Sequence, residues 1–168
     1  MTTGRDPDGT VDARRVAIAC DRDEITQVMY RYATAVQNQD LELLLSCFTS
    51  DAVLDYGDFA QLEGEAAIRE MFGASMERRR AGAPMFSLDE AVVSTPIMTN
   101  VMVEVDGDQA HAEHTCLAIH AGRVGDGGRL LVHGTRNIDE LERTPDGWRI
   151  RNRRHETAWG TELEADVP

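Results

Sequence analysis

The sequence predicts an α+β domain in which three N-terminal helices pack on a curved antiparallel sheet. Two observations carry this prediction. Apolar residues before Gly82 recur at helical spacing, whereas four later segments, Ile97 to Val105, Ala110 to Arg123, Arg129 to Arg143 and Trp148 to Thr157, read as long strands. The turns between those strands are well marked, by Asp106-Gly107, by Gly125-Asp126-Gly127-Gly128 and by Pro145-Asp146-Gly147. Helices first and a meander afterwards is the order expected when a sheet wraps around helices.

In chain order, residues 1–12 combine Gly, Pro and Asp with almost nothing to bury, and read as a tail. Asp21 and Glu24 have capping-box spacing ahead of Ile25, Val28, Met29, Tyr32 and Val36, which predicts a first helix from Asp21 to about Asn38. Asp40 can cap a short second helix through Leu41, Leu43, Leu44 and Phe48, and Ala52 to Tyr56 reads as a short strand. Gly64 to Arg80 is a third amphipathic helix, with Glu65 at its start and Arg78-Arg79-Arg80 at its end complementing the helix dipole. One domain over residues 13–162, followed by a tail over 163–168, accounts for the whole pattern.

Thirty acidic residues against seventeen basic ones give a net charge of −13, which argues against nucleic acid and anionic membranes as partners and suits small neutral or cationic ligands. Cys20, Cys47 and Cys116 are too few and too scattered for a disulfide framework or a zinc cluster. With no signal-peptide pattern and no run of apolar residues approaching a membrane span, a reduced, cytoplasmic setting is expected.

The stretch His114-Thr-Cys-Leu-Ala-Ile-His120 concentrates the chemistry. On a strand, His114, Cys116, Ala118 and His120 share one face, and two imidazoles among small residues suit a pocket wall better than a close-packed core. If the next hairpin turns at Gly125 and Asp126, facing residues have numbers that add to 251. His114 then faces Asn137, Ala118 faces His133, and one face collects His114, His120, His133, Thr135 and Asn137. His111 and His114, three apart on the same strand, point to opposite faces and do not form a metal pair. The glycines at 122, 125, 127 and 128 make a hairpin tip, since neither a following helix nor a Walker lysine is present for a phosphate cradle.

The order of elements, together with Tyr32, Asp51-Ala52-Val53-Leu54-Asp55-Tyr56, Gly64 with Ala67-Ile68, Thr99-Asn100, Asp106-Gly107-Asp108 and Gly147-Trp148-Arg149-Ile150, resembles the SnoaL-like, nuclear-transport-factor-2-like superfamily over residues 21–162. The resemblance implies a cone-shaped NTF2-like (cystatin-like) fold. It does not imply a reaction, because the superfamily includes dehydratases, isomerases, cyclases, dehydrochlorinases and binding domains. The chain is most similar to the scytalone dehydratase branch, through His114 with His120, Asp55-Tyr56 and Trp159-Gly160. That similarity implies that Tyr56 hydrogen-bonds a water at a substrate carbonyl, that His120 is a pocket histidine and that Asn137 contacts ligand.

The branch also carries an Asp on the first helix and a His four residues before the Asn of Thr-Asn, as an acid–base dyad. Here Gln37 and Pro96 occupy those places, and neither an amide nor a proline can move a proton. Either the chemistry has moved to other groups or the domain only binds.

His120 is the candidate catalytic acid or base, and Tyr56 the candidate donor to a developing enolate oxygen. Asn137 and Gln37 can orient a carbonyl or a water, and Tyr32, His114, Pro96 and Met98 complete the expected substrate-binding set. Tyr32 also reads as ordinary helix packing. Arg153 reads as an ion-pair or anion-binding residue, although Arg149, Arg151 and Arg154 make a solvated basic stretch the more ordinary interpretation.

The expected function is a lyase or isomerase that dehydrates, isomerises or cyclises a hydrophobic cyclic or polyketide-like substrate, with no metal and no organic cofactor. The alternative is a non-catalytic small-molecule-binding or accessory domain. Leu117, Ile119, Val132 and Ile138 on the outer sheet face predict a homodimer or larger homo-oligomer through the sheet.

Overall fold

The computed structural model describes residues 12–167, so the expected N-terminal tail lies outside the described residues apart from Asp12. Helix α1 spans Ala13–Asn38, α2 Leu41–Leu45 and α3 Gly64–Arg80. The strands are β1 Phe48–Asp55, β2 Gln61–Glu63, β3 Glu90–Asp106, β4 Gln109–Val124, β5 Gly127–Thr144 and β6 Gly147–Glu164. Among the described residues no helix is long and apolar enough to cross a membrane.

Helix α1 begins eight residues before Asp21. Asp12 is its N-cap, accepting from Arg14 N at 2.9 Å, and its first turns are mostly exposed, so they carry no apolar periodicity to read. Asp21 is not a cap. Its carboxylate accepts from Trp148 Nε1 at 3.1 Å and Arg143 Nη2 at 2.7 Å, tying α1 to the β5–β6 hairpin. Asp40 does cap α2, accepting from Leu43 N at 3.0 Å.

The six strands form one mixed sheet in the order β2-β1-β6-β5-β4-β3, antiparallel throughout except for the parallel β1–β6 pair. The β4–β5 hairpin has the predicted register, with His114 opposite Asn137 and Ala118 opposite His133. β3 bends at a bulge between Thr99 and Met102, where Asn100 adopts a left-handed φ of 54°. β6 pairs with β5 as far as Glu164, and Ala165 N donates to Gly128 O at 3.1 Å, so the chain stays sheet-bound into the segment expected to be a tail.

Ile25, Val28 and Met29 of α1, Leu44 and Leu45 of α2, Phe48 and Leu54 of β1 and Ile68 of α3 bury against Leu141, Trp148 and Ile150 at one end of the sheet. This core anchors the helices at that end. Toward the opposite end, β3, β4 and β5 extend beyond it, and the space between helices and sheet is left as a cavity.

Candidate active site

The cavity has a volume of about 370 Å³. Tyr32 and Val36 of α1 and Met71, Phe72, Ser75, Met76 and Arg79 of α3 form one wall. The inner faces of β3 to β6 form the other, through Ser94, Pro96 and Met98, then Cys116, Ala118 and His120, then His133, Thr135 and Asn137, then His155 and Thr157. Tyr56, Phe59, Met85 and Phe86 close the remaining sides. The volume lies within the range usual for small-molecule sites.

Six of the eight residues expected at the site come together here: His120, Tyr56, Asn137, Tyr32, Pro96 and Met98. Gln37 does not. It lies on the exposed side of α1, because one residue past Val36 is a rotation of about 100° around the helix and carries the side chain away from the cavity. His114 is likewise not a lining residue. It is 2% exposed, 3.7 Å from Asp139, behind the cavity wall, and among the described residues neither ring nitrogen has a hydrogen-bond partner. Burial, with the charge of Arg153 beside it, pulls its pKa down to about 4.

The reading of Arg153 as part of a solvated basic stretch is corrected. Its guanidinium is buried, donates from Nε and Nη2 to the two carboxylate oxygens of Asp139, and lies 4.5 Å from the centroid of the Tyr32 ring. Period-two alternation places Arg153 inward, while Arg154 faces out. Burial opposes the charge on Arg153, but Asp139 outweighs it and holds the guanidinium ionised.

Above this pair the polar groups form a chain. The Tyr32 and Tyr56 hydroxyls are 3.5 Å apart, too far for a strong mutual hydrogen bond but close enough for both to donate to one oxygen between them. Burial raises the pKa of both, with Tyr32 adding to the effect on Tyr56, so both remain protonated donors at neutral pH. Tyr56 stacks on His155 with ring centroids 4.9 Å apart. His155 Nδ1 lies 2.7 Å from Asn137 Oδ1, and with the amide oxygen as acceptor the imidazole proton sits on Nδ1 and Nε2 keeps its lone pair.

His120 stands apart from that chain. Its ring is 4.8 Å from Phe86 and 6.0 Å from His133, and its buried Nδ1 has no partner among the described residues. Burial, then the neighbouring charges of His133 and Arg79, lowers its pKa to about 4. His155 is also lowered to about 4, by burial and by Arg153. At neutral pH both imidazoles are uncharged.

His155, Thr157, Arg79 and Phe86 were not identified from the sequence. His155 is two residues from Arg153 and therefore on its face, but a plain two-residue turn at Pro145-Asp146 would pair Asn137 with Arg154. A bulge between Glu140 and Leu141, leaving Arg151 unpaired, shifts the register by one and brings His155 opposite Asn137. Phe86, with a left-handed φ of 57°, lies in a loop with no periodicity to place it.

Residues 17–154 match the family of SnoaL-like domains. The uncharacterized protein Rv2910c of Mycobacterium tuberculosis is 30% identical over 137 residues, which cover 80% of this chain and 84% of that protein. Among solved structures, an NTF2-like protein with a cystatin-like fold from Novosphingobium aromaticivorans superposes with a TM-score of 0.69 at 24% identity, covering 87% of each chain. A scytalone dehydratase-like protein from the same species superposes with a TM-score of 0.72 at 15% identity, covering 91% of this chain and 94% of that one. These two likenesses show the fold, which is the NTF2-like, cystatin-like one.

Proposed function

The chain belongs to the SnoaL-like domain family, and from that premise we propose that it is a lyase or isomerase acting on a hydrophobic cyclic or polyketide-like substrate by acid–base catalysis. The observation that carries the proposal is the convergence of Tyr56, Tyr32, His155 and His120 in one apolar cavity of about 370 Å³. A ring system fits against Met71, Phe72, Met76 and Met98, with its carbonyl oxygen between the Tyr32 and Tyr56 hydroxyls. Those donors stabilise the enolate that forms when a neighbouring C–H is deprotonated. His120, neutral and with a free ring nitrogen, takes the proton, and Asn137 holds His155 so that its Nε2 can position substrate or water.

The experiment is solvent exchange. A panel of cyclic ketones and hydroxyketones is incubated with the protein in deuterium oxide, and deuterium at carbons beside the carbonyl is followed by NMR. Exchange that is abolished by His120→Ala, while the variant stays folded, supports the enzyme. A binding domain is favoured by one observation, that imidazoles with pKa values near 4 are weak bases in the empty cavity. Ligands that bind without exchanging would establish that reading in place of the first.

The outer sheet face supports a homodimer in the same proposal. Ile97, Leu117, Gly134 and Trp159 lie side by side across four strands, with Ile119 and Val132 adjacent. Cys20, Cys47 and Cys116 are free thiols, which goes with a reducing cytoplasmic setting.

A further inference from the structure

The protein carries a net charge of −13, yet among the described residues no aspartate or glutamate lines the cavity. The ionised side chain that does is Arg79. It is 6% exposed, its Nη2 donates to Val36 O at 2.6 Å, and among the described residues its buried Nε has no acceptor and no carboxylate lies within ion-pair distance of it. The other deep cation, Arg153, is already neutralised by Asp139. The interior of the site is therefore positive inside an acidic protein, the reverse of what the overall charge implies for ligands.

We infer that the ligand of this cavity is an anion, an apolar ring-bearing carboxylic acid whose carboxylate pairs with Arg79 beside His120. This rests on the cavity being the ligand site proposed above. A buried guanidinium without a counter-ion is costly, and a planar carboxylate is the partner its fork of N–H donors fits. Burial, with Arg80 adding to it, lowers the pKa of Arg79, the direction expected of a cation that no acid offsets. Around it, Ser94 is the cross-strand partner of His120 and lines the cavity, offering a hydroxyl to the same group. The rest of the molecule then extends along Met76, Phe72 and Met71 toward Tyr56. A carboxylate at this position also faces His120 and favours its imidazolium, which brings that base closer to working pH.

Arg79 also touches the last turn of α1, so a purely structural role as a helix-end partner must be separated from ligand pairing. The probes are 2-naphthoate and its neutral isostere 2-naphthamide, titrated into the intact protein by calorimetry at pH 7.5. The expected result is that the acid binds at least tenfold tighter than the amide. Arg79→Met removes that preference, and Arg79→Lys retains part of it. Equal affinity for acid and amide, an acid that does not bind at millimolar concentration, or a preference that survives in Arg79→Met overturns the inference. A structural role alone lowers the melting temperature of Arg79→Met without touching the acid-to-amide ratio. If Arg79→Met does not fold, the wild-type comparison still tests whether the ligand is an anion, and a preference undiminished in Arg79→Lys overturns the pairing with Arg79. Binding is read without turnover, so failure here leaves the deuterium-exchange test of acid–base chemistry standing on its own.

Discussion

Asp139 clamps Arg153 beneath the cavity: the guanidinium Nε and Nη2 each lie 2.7 Å from a carboxylate oxygen, and neither residue exceeds 2% exposure. Because the Arg153 guanidinium lies against the Tyr32 ring, this ion pair positions one of the two tyrosines at the site. Removing one partner strands the other as an uncompensated buried charge. Asp139→Ala is expected to lower unfolding free energy by about 3–5 kcal/mol, whereas a joint Asp139→Leu, Arg153→Met replacement recovers most of that loss. Urea titrations of the three proteins check it. A loss below about 1 kcal/mol in Asp139→Ala would show that the pair carries little of the fold.

The difference between what could and could not be read from the sequence lies in the strand registers. The β4–β5 hairpin turns on Gly125-Asp126 without irregularity, so pairing runs unbroken from Val124–Gly127 to Gln109–Glu142, and the face holding His120 and Asn137 was legible. The β5–β6 hairpin contains two register shifts, which leave Arg151 and Ala158 unpaired. Each shift reverses which residues face inward, and no local sequence feature announces a bulge. His155 and Thr157 were hidden by the first of these. Gln37 was misplaced for a different reason: its position was inferred by likeness to a helix aspartate, and the neighbouring Val36 faces the cavity instead.

Acid should unfold this protein through its buried imidazoles. His114, His120 and His155 have pKa values of about 4 when folded, against 6.5 ordinarily, so between those pH values the unfolded chain binds more protons than the folded one. Stability is therefore full above pH 6.5 and falls as pH drops toward 4, by up to about 1.4 kcal/mol per pH unit for each histidine. His111, whose pKa is raised by its hydrogen bond to Glu140, works in the opposite sense from the surface. His114→Leu should be neutral or stabilising at pH 7, since both ring nitrogens are unpartnered, and should flatten the acid limb. Urea midpoints at pH 7, 6 and 5 measure the slope, and a flat profile contradicts neutral burial.

The outer face makes a separate prediction about assembly. Trp159 is 51% exposed and lies across Gly134, where an added Cβ would come within 2.3 Å of the indole. The glycine thus lets the ring spread an apolar surface next to Leu117 and Ile97. Leu117→Glu is expected to shift sedimentation to a monomer with unchanged circular dichroism, and Gly134→Ala to weaken association by displacing Trp159. A wild-type protein that sediments as a monomer at high micromolar concentration would remove the basis for a sheet-face dimer.

The Tyr56 hydroxyl gives the sharpest separation of binding from chemistry. It lies 3.5 Å from the Tyr32 hydroxyl, and its ring is held on His155, which Asn137 in turn fixes. Tyr56→Phe removes one donor and keeps the ring in place, so ligand affinity should change less than threefold. If that donor meets charge as it develops on a carbonyl oxygen, the exchange rate should fall by about 10²-fold. Asn137→Ala acts one step back, by freeing the His155 ring, and should reduce the rate less than Tyr56→Phe does, with partial recovery in Asn137→Gln. Stopped-time NMR exchange and calorimetric titration on the same ketone separate the two quantities. If Tyr56→Phe lowers affinity and rate by the same factor, the hydroxyl holds the substrate without selecting the enolate, and His120 with His155 must supply what stabilisation the reaction receives.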